Sequence, residues 1–169
     1  MVKMLCSFIR VAGAVPFLEP KGLDGTGSKR PDIQVHFPDG SCLVDGSFTH
    51  PAGKTYAPYA STTPLYAADT RERFKHNKYD VIAADEKCPF IPFVMETFGG
   101  YGKEALAFLS RLSKCHSSLS TTPAPKGAFR THVSRALSIC LQKGNALAQL
   151  VGCRQAREHA GEQVGFPLI

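Results

Sequence analysis

The sequence lacks any apolar run close to the roughly 20 residues that a membrane-spanning helix needs. The stretch from Met1 to Val15 is apolar only in short pieces, because Lys3 and Arg10 interrupt it. Such a stretch predicts the end of a helix rather than a secretory signal peptide. We therefore expect a protein that is not secreted and has no membrane partner.

Paired cysteines are also missing. The cysteines stand singly, with no CxxC pair and no histidine at zinc-finger spacing: Cys6, Cys42, Cys88, Cys115, Cys140 and Cys153. This pattern argues against structural zinc and favours free thiols in a reducing compartment. Internal repeats and dense Lys/Arg runs of the nuclear-localisation type are absent as well.

The chain does have the material for one ordinary domain. Its 169 residues are 43% hydrophobic, which is enough for a real core. The net charge of +6 and the pI near 9.1 suit a polyanionic partner such as nucleic acid, although many proteins without such a partner share this charge.

Periodicity and turn signals predict a small α/β protein. The expected elements are a helix at 2–11, an extended piece at 14–18, two strands joined by Asp39-Gly40, a helix at 63–79, a strand at 90–95 and a helix at 103–114. A Ser/Thr/Pro linker at 117–126 precedes C-terminal helices at 127–169. The fold class is a small mixed sheet with a central β-hairpin, flanked by helices, over an α/β core at 1–116.

An acid interrupts the second hairpin strand, where Asp45 follows Leu43 and Val44. With Asp39-Gly40 as the central turn residues, Gln34 lies opposite Asp45 and Asp32 is its diagonal neighbour. Diagonal side chains lie roughly 5–8 Å apart, so two carboxylates there can share a divalent cation. The alternatives are an edge strand with Asp45 in water, or a pair between Asp45 and an arginine.

The segment Arg30-Pro31-Asp32, followed twelve residues later by Asp45, resembles a known nuclease signature. The signature belongs to the restriction-endonuclease-like domain at the C-terminus of site-specific non-LTR retrotransposon polyproteins, a branch of the PD-(D/E)xK superfamily. Further blocks resemble such C-termini in the same order: "GAVPFLEPKGL", "FKHNKYD", "FIPFVMETFGGYGKEALAFLSRLSK" and "RALSICLQKGNALAQL". Together they cover residues from about 12 to about 150.

The resemblance implies that Asp32 and Asp45 hold Mg²⁺ or Mn²⁺ at the scissile phosphate, assisted by a lysine. Ser47 stands two residues after Asp45, where the general pattern has that lysine. In the retrotransposon branch the lysine lies on the following helix, which gives Lys78 as the first choice and Lys75 as the second. The alternative for both is a solvated helix face shared with neighbouring arginines.

Two glutamates are further candidates. Glu19 ends the strand before the Pro-Asp pair, and Glu96 follows the apolar strand. Each is either an additional acid of the site or a residue with a surface or helix N-terminal position.

The function implied is a metal-dependent DNA endonuclease that nicks target DNA for retrotransposon integration. Its partners are DNA and the reverse transcriptase portion of the parent polyprotein, in the nucleus or the cytoplasm. The zinc knuckle, the Arg/His helix and the reverse transcriptase that precede such domains are not in this sequence, so we expect an N-terminally truncated core. The alternative is an inactive remnant that only binds nucleic acid or serves as an assembly module.

Overall fold

The computed structural model describes residues 1–21, 23, 30–119, 125 and 127–159. Its elements in chain order are α1 (Val2–Val11), β1 (Val15–Leu18), β2 (Ile33–Phe37), β3 (Gly40–Thr49), α2 (Ala57–Ala60), α3 (Tyr66–Asp85), β4 (Phe90–Glu96), α4 (Lys103–Leu119) and α5 (Ala128–His159). Within the described residues, none of the helices combines the length and the apolarity that crossing a membrane requires.

The strands form one mixed sheet in the order β1-β2-β3-β4. The pairs β1–β2 and β2–β3 are antiparallel, and β4 runs parallel to β3 after the crossover through α3. The prediction of a small mixed sheet flanked by helices is therefore confirmed.

The register of the hairpin differs from the prediction by two residues. Phe37 pairs with Gly40, so Pro38 and Asp39 are the central turn residues, and Gln34 lies opposite Leu43 rather than Asp45. Proline suits the first central position of a turn and has no N–H to donate to a ladder. One step beyond the last pair, Ile33 with Val44, this register sets Asp32 directly opposite Asp45.

The two faces of the sheet carry different cores. One face packs against α1, α4 and α5 through side chains such as Ile33, Val35, Val44, Phe93 and Met95. The other face lies under α3, where a smaller cluster contains Leu43, Tyr79, Ile82, Ala83 and Phe90. Asp45 alternates with Val44 on β3 and so belongs to the α3 side.

The C-terminal region differs from the prediction in two ways. The helix α4 continues to Leu119, so it includes the first residues of the expected linker, and the rest of that linker except 125 lies outside the described residues. The helix α5 runs without interruption through Gly144, and residues 160–169 are likewise outside the described part. Val133, Leu137 and Leu141 of α5 are buried in the same core as the sheet, so α5 completes that core.

Candidate active site

Asp45 forms a buried ion pair with Lys75. Asp45 lies on the interior strand β3 and is 4% exposed, and Lys75 on α3 is 8% exposed. The ammonium group of Lys75 contacts Oδ2 of Asp45 directly. The expected alternatives of an acid in water or an acid paired with arginine are therefore wrong. A lysine on the crossover helix supplies the counter-charge that a carboxylate in a buried strand needs.

Asp32 lies beside this pair and is held by the backbone of β3. Its Oδ2 accepts a hydrogen bond from the N–H of Gly46 at 2.8 Å. Burial raises the pKa of Asp32 above its ordinary value, and the negative charge of Asp45 raises it further. The Gly46 hydrogen bond and the Lys75 ammonium act in the opposite direction but do not cancel the rise. Asp32 and Asp45 are thus close enough to interact electrostatically.

Tyr79 closes the site on the helix side. Its hydroxyl donates to the carbonyl oxygen of Arg30 at 3.1 Å, and the residue is 2% exposed. Burial raises the pKa of Tyr79, and the negative charges of Asp45 and Asp32 add to the effect. The sequence analysis did not select Tyr79. Its position four residues after Lys75, on the same helical face, was the available signal.

The structure brings Lys75 to the acids and leaves Lys78 at the rim. The Nζ atom of Lys78 lies 4.7 Å from the centroid of the Tyr79 ring, in a cation–π contact on a partly exposed residue. The two lysines share one turn of α3, but only Lys75 points between the helix and β3. Of the two lysines, the structure therefore places Lys75 against Asp45.

Ser47 lies two residues after Asp45 on the same face of β3. Its Oγ is buried and has no hydrogen-bond partner among the described residues. A hydroxyl without a partner retains one O–H donor.

The two additional glutamates have different surroundings. Glu19 borders the site: its N–H donates to the carbonyl of Asp32 at 2.8 Å, while its exposed carboxylate pairs with Arg30 at 3.6 Å. Glu96 is buried and accepts the N–H of Ala68 at 3.1 Å, in the first turn of α3. Glu96 therefore lies at the N-terminus of α3. On β4 it is four residues after Pro92, the residue that is paired with Asp45.

Glu72 is a second buried glutamate, and the sequence analysis did not select it. Its Oε1 accepts the N–H of Glu104 at 3.2 Å, at the start of α4, and burial raises its pKa. A Cβ on Gly102 would collide with this carboxylate, so the glycine leaves the space that Glu72 fills. Glu72 holds α4 against α3, which makes it a structural acid rather than a member of the site.

A cleft of about 460 Å³ lies at β1 and β2. Its lining includes Gln34 and His36 of β2 together with Glu19, whose backbone bonds to Asp32. Ser41 and His36 are joined by a hydrogen bond of 2.7 Å on this side of the sheet.

The acids suit a hard divalent cation as part of a ligand set. Among the described residues, no three His, Cys, Asp or Glu side chains gather into a metal-binding group. A Mg²⁺ ion in proteins is commonly held by one or two carboxylates, with waters and substrate phosphate oxygens completing the set. Asp32 and Asp45 offer such a pair, and a cation between them would offset the repulsion that raises the pKa of Asp32.

Comparisons with known proteins give no match, either to a family model or to a curated protein sequence.

Proposed function

We propose that this protein is a metal-dependent DNA endonuclease domain with a restriction-endonuclease-like fold. The observation that carries the proposal is the placement of Asp32, Asp45 and Lys75 together on the α3 side of the sheet. Two acids and a cation of this kind are what phosphodiester hydrolysis needs, and they come from the segments that resemble the retrotransposon nucleases. The ligand is then DNA, with the reverse transcriptase portion of a parent polyprotein as partner, in the nucleus or the cytoplasm.

Each residue of the site has a distinct task in this proposal. Asp32 and Asp45 hold Mg²⁺ or Mn²⁺, which supplies polarisation of the phosphate and activation of a bound water. Lys75 directs its charge to the place where negative charge grows on the phosphoryl oxygens. The Gly46 N–H fixes the carboxylate of Asp32 and the Lys75 ammonium fixes that of Asp45, so that both acids keep their positions when DNA binds.

The test is nicking of supercoiled plasmid in Mg²⁺ and in Mn²⁺, with EDTA as the metal-free control. We expect relaxed circles from the wild type and none from Asp45→Asn, which keeps the size of the side chain and an acceptor for Lys75. Lys75→Met should abolish nicking, whereas the matched variant Lys78→Met should retain it. Intact plasmid in every lane from folded wild-type protein would contradict the proposal.

A second candidate function is a binding module without turnover. The observations that favour it are the direct neutralisation of Asp45 by Lys75 and the replacement of the usual lysine by Ser47. It predicts salt-sensitive DNA binding that survives Asp32→Ala and Asp45→Ala, with no cleavage in either metal.

A further inference from the structure

Arg71 and Ser47 each bury a polar atom that lacks a partner. These atoms are Nε of Arg71 and Oγ of Ser47, and neither makes a hydrogen bond within the described part of the chain. Buried polar atoms in folded proteins nearly always have a partner, which is protein, water or ligand. Two such atoms at one site therefore leave hydrogen bonds that a water molecule or a bound group completes.

The topology places Ser47 of β3 and Arg71 of α3 at corresponding positions along the interface between these two elements. The helix α3 runs antiparallel to β3, because Lys75 contacts Asp45 while Ala68 contacts Glu96, the partner of Thr49. Ser47 is midway between Asp45 and Thr49 on one face of β3. Arg71 is midway between Ala68 and Lys75, one helical turn from the lysine on the same face.

Among the residues that the structure describes, Arg71 forms no ion pair, whereas Arg73 and Lys75 do. Arg73 pairs with Asp69 at 3.2 Å, and Lys75 pairs with Asp45. The guanidinium of Arg71 lies over the ring of Phe74, 5.1 Å from its centroid, and its Nε makes no hydrogen bond to the described residues. A guanidinium beside a serine hydroxyl provides several directed donors for phosphate oxygens.

We propose that Arg71 and Ser47 form an anion subsite that binds a backbone phosphate of nucleic acid, one helical turn along α3 from the Lys75–Asp45 pair. The identity of this ligand rests on the proposed endonuclease function. The subsite positions the strand relative to Asp32 and Asp45, and it explains how a serine is accommodated where the family pattern has a lysine. Arg71 supplies the charge that the serine does not.

The first test is a titration of the full isotope-labelled chain with inorganic phosphate in EDTA, followed through the arginine Nε–H signals. The Arg71 signal, assigned by its loss in Arg71→Gln, is expected to shift saturably, while that of Arg73 stays in place. Ser47→Ala should weaken phosphate binding roughly three- to tenfold, as for one lost hydrogen bond. The matched variant Arg73→Gln should not change it. A stationary Arg71 signal, or unchanged affinity in Ser47→Ala, would overturn the subsite.

The second test separates the possible sources of the anion. A single-stranded oligonucleotide without terminal phosphates replaces inorganic phosphate in the same titration. A shift of the Arg71 signal with both ligands supports a backbone phosphate. A shift with inorganic phosphate alone overturns the nucleic-acid ligand.

Plasmid nicking by Arg71→Gln distinguishes the failure of this proposal from the failure of the endonuclease function. Nicking that equals the wild type would overturn the subsite and leave the endonuclease in place. Phosphate and oligonucleotide binding at Arg71 by a wild type that never nicks would support the subsite and contradict the endonuclease.

Discussion

The Lys75–Asp45 pair is the contact at which a single substitution should act most strongly on stability. Lys75→Met leaves Asp45 buried without its counter-charge, and we expect a loss of about 3–5 kcal/mol in the free energy of unfolding. Urea unfolding at neutral pH measures the loss. Lys78→Met, at the partly exposed rim, should change stability by no more than about 0.5 kcal/mol. The double variant Lys75→Met with Asp45→Asn should recover most of the lost stability. Equal losses for Lys75→Met and Lys78→Met would contradict the assignment of Lys75 as the partner of Asp45.

Under the proposed function, the charge of Asp32 should lower stability while being required for activity. Its folded pKa lies above the unfolded value of about 3.9, so its ionisation disfavours the native state. The wild type should therefore lose stability as pH rises through the window above 3.9 up to that folded pKa. Asp32→Asn keeps an acceptor for Gly46 and removes the charge, so we expect a gain of about 1 kcal/mol at neutral pH. Urea unfolding at the two ends of this pH window measures the gain in stability. The plasmid nicking assay measures the accompanying loss of activity.

At the residue scale, the sequence could select the two acids but could not choose between the lysines. The spacing of Asp32 and Asp45 follows from the length of the hairpin, which is a local property. The choice between Lys75 and Lys78 depends on which side of α3 rests on β3, and helical periodicity over those residues is equally compatible with either. Arg71 and Tyr79 were missed for the same reason, since only the packing of α3 shows that they face the acids.

At the level of elements, His76 joins α3 to α4. One ring nitrogen lies 2.7 Å from Asp80 and the other lies 2.6 Å from Glu104. Burial alone lowers the pKa of His76, but the hydrogen bonds to the two carboxylates outweigh it and raise the pKa. The charged imidazole therefore favours the folded state.

The contribution of His76 should depend on pH. Because the folded pKa is raised, the stabilisation is fully present below the unfolded value of about 6.5 and is lost as pH rises through the folded pKa. We expect His76→Gln to cost about 1 kcal/mol under acidic conditions and little under basic conditions. Thermal unfolding over this range measures the difference, and Glu104→Gln should reduce the same pH dependence. A cost that does not vary with pH would contradict the interpretation.

Most elements could be predicted because each has a clear local period or turn. The hairpin register could not, since Pro38-Asp39 and Asp39-Gly40 are both plausible turn pairs and the decision rests on pairing with neighbouring strands. The start of α3 was also misplaced. Leu65 takes a left-handed conformation, with φ of 61°, and the first turn of α3 is stabilised by Glu96 from a distant strand.

At the scale of the whole molecule, α5 belongs to the core rather than to a separable extension. A chain that ends at residue 127 exposes the sites filled by Val133, Leu137 and Leu141. Each such side chain contributes roughly 1.5–3 kcal/mol, so the loss is about 6 kcal/mol, comparable with the whole stability of a small domain.

We therefore expect the shortened chain to lose cooperative thermal unfolding, measured by circular dichroism. A chain that ends at residue 146 keeps these core residues, as well as the hydrogen bond of 2.8 Å from Asn145 to the carbonyl of Thr97, and should unfold cooperatively. Cooperative unfolding of the shorter chain would contradict the assignment of α5 to the core.

The carboxylates that anchor the helices also fix an order of events during synthesis. The first turn of α3 is anchored by Glu96, which is made after the whole helix, and α4 begins on Glu72 of α3. On the ribosome, the hairpin with both acids emerges well before β4 is complete. The native contact between Lys75 and Asp45 needs α3 in place on β3, and the Glu96 anchor of α3 is the last part of this arrangement to be synthesised.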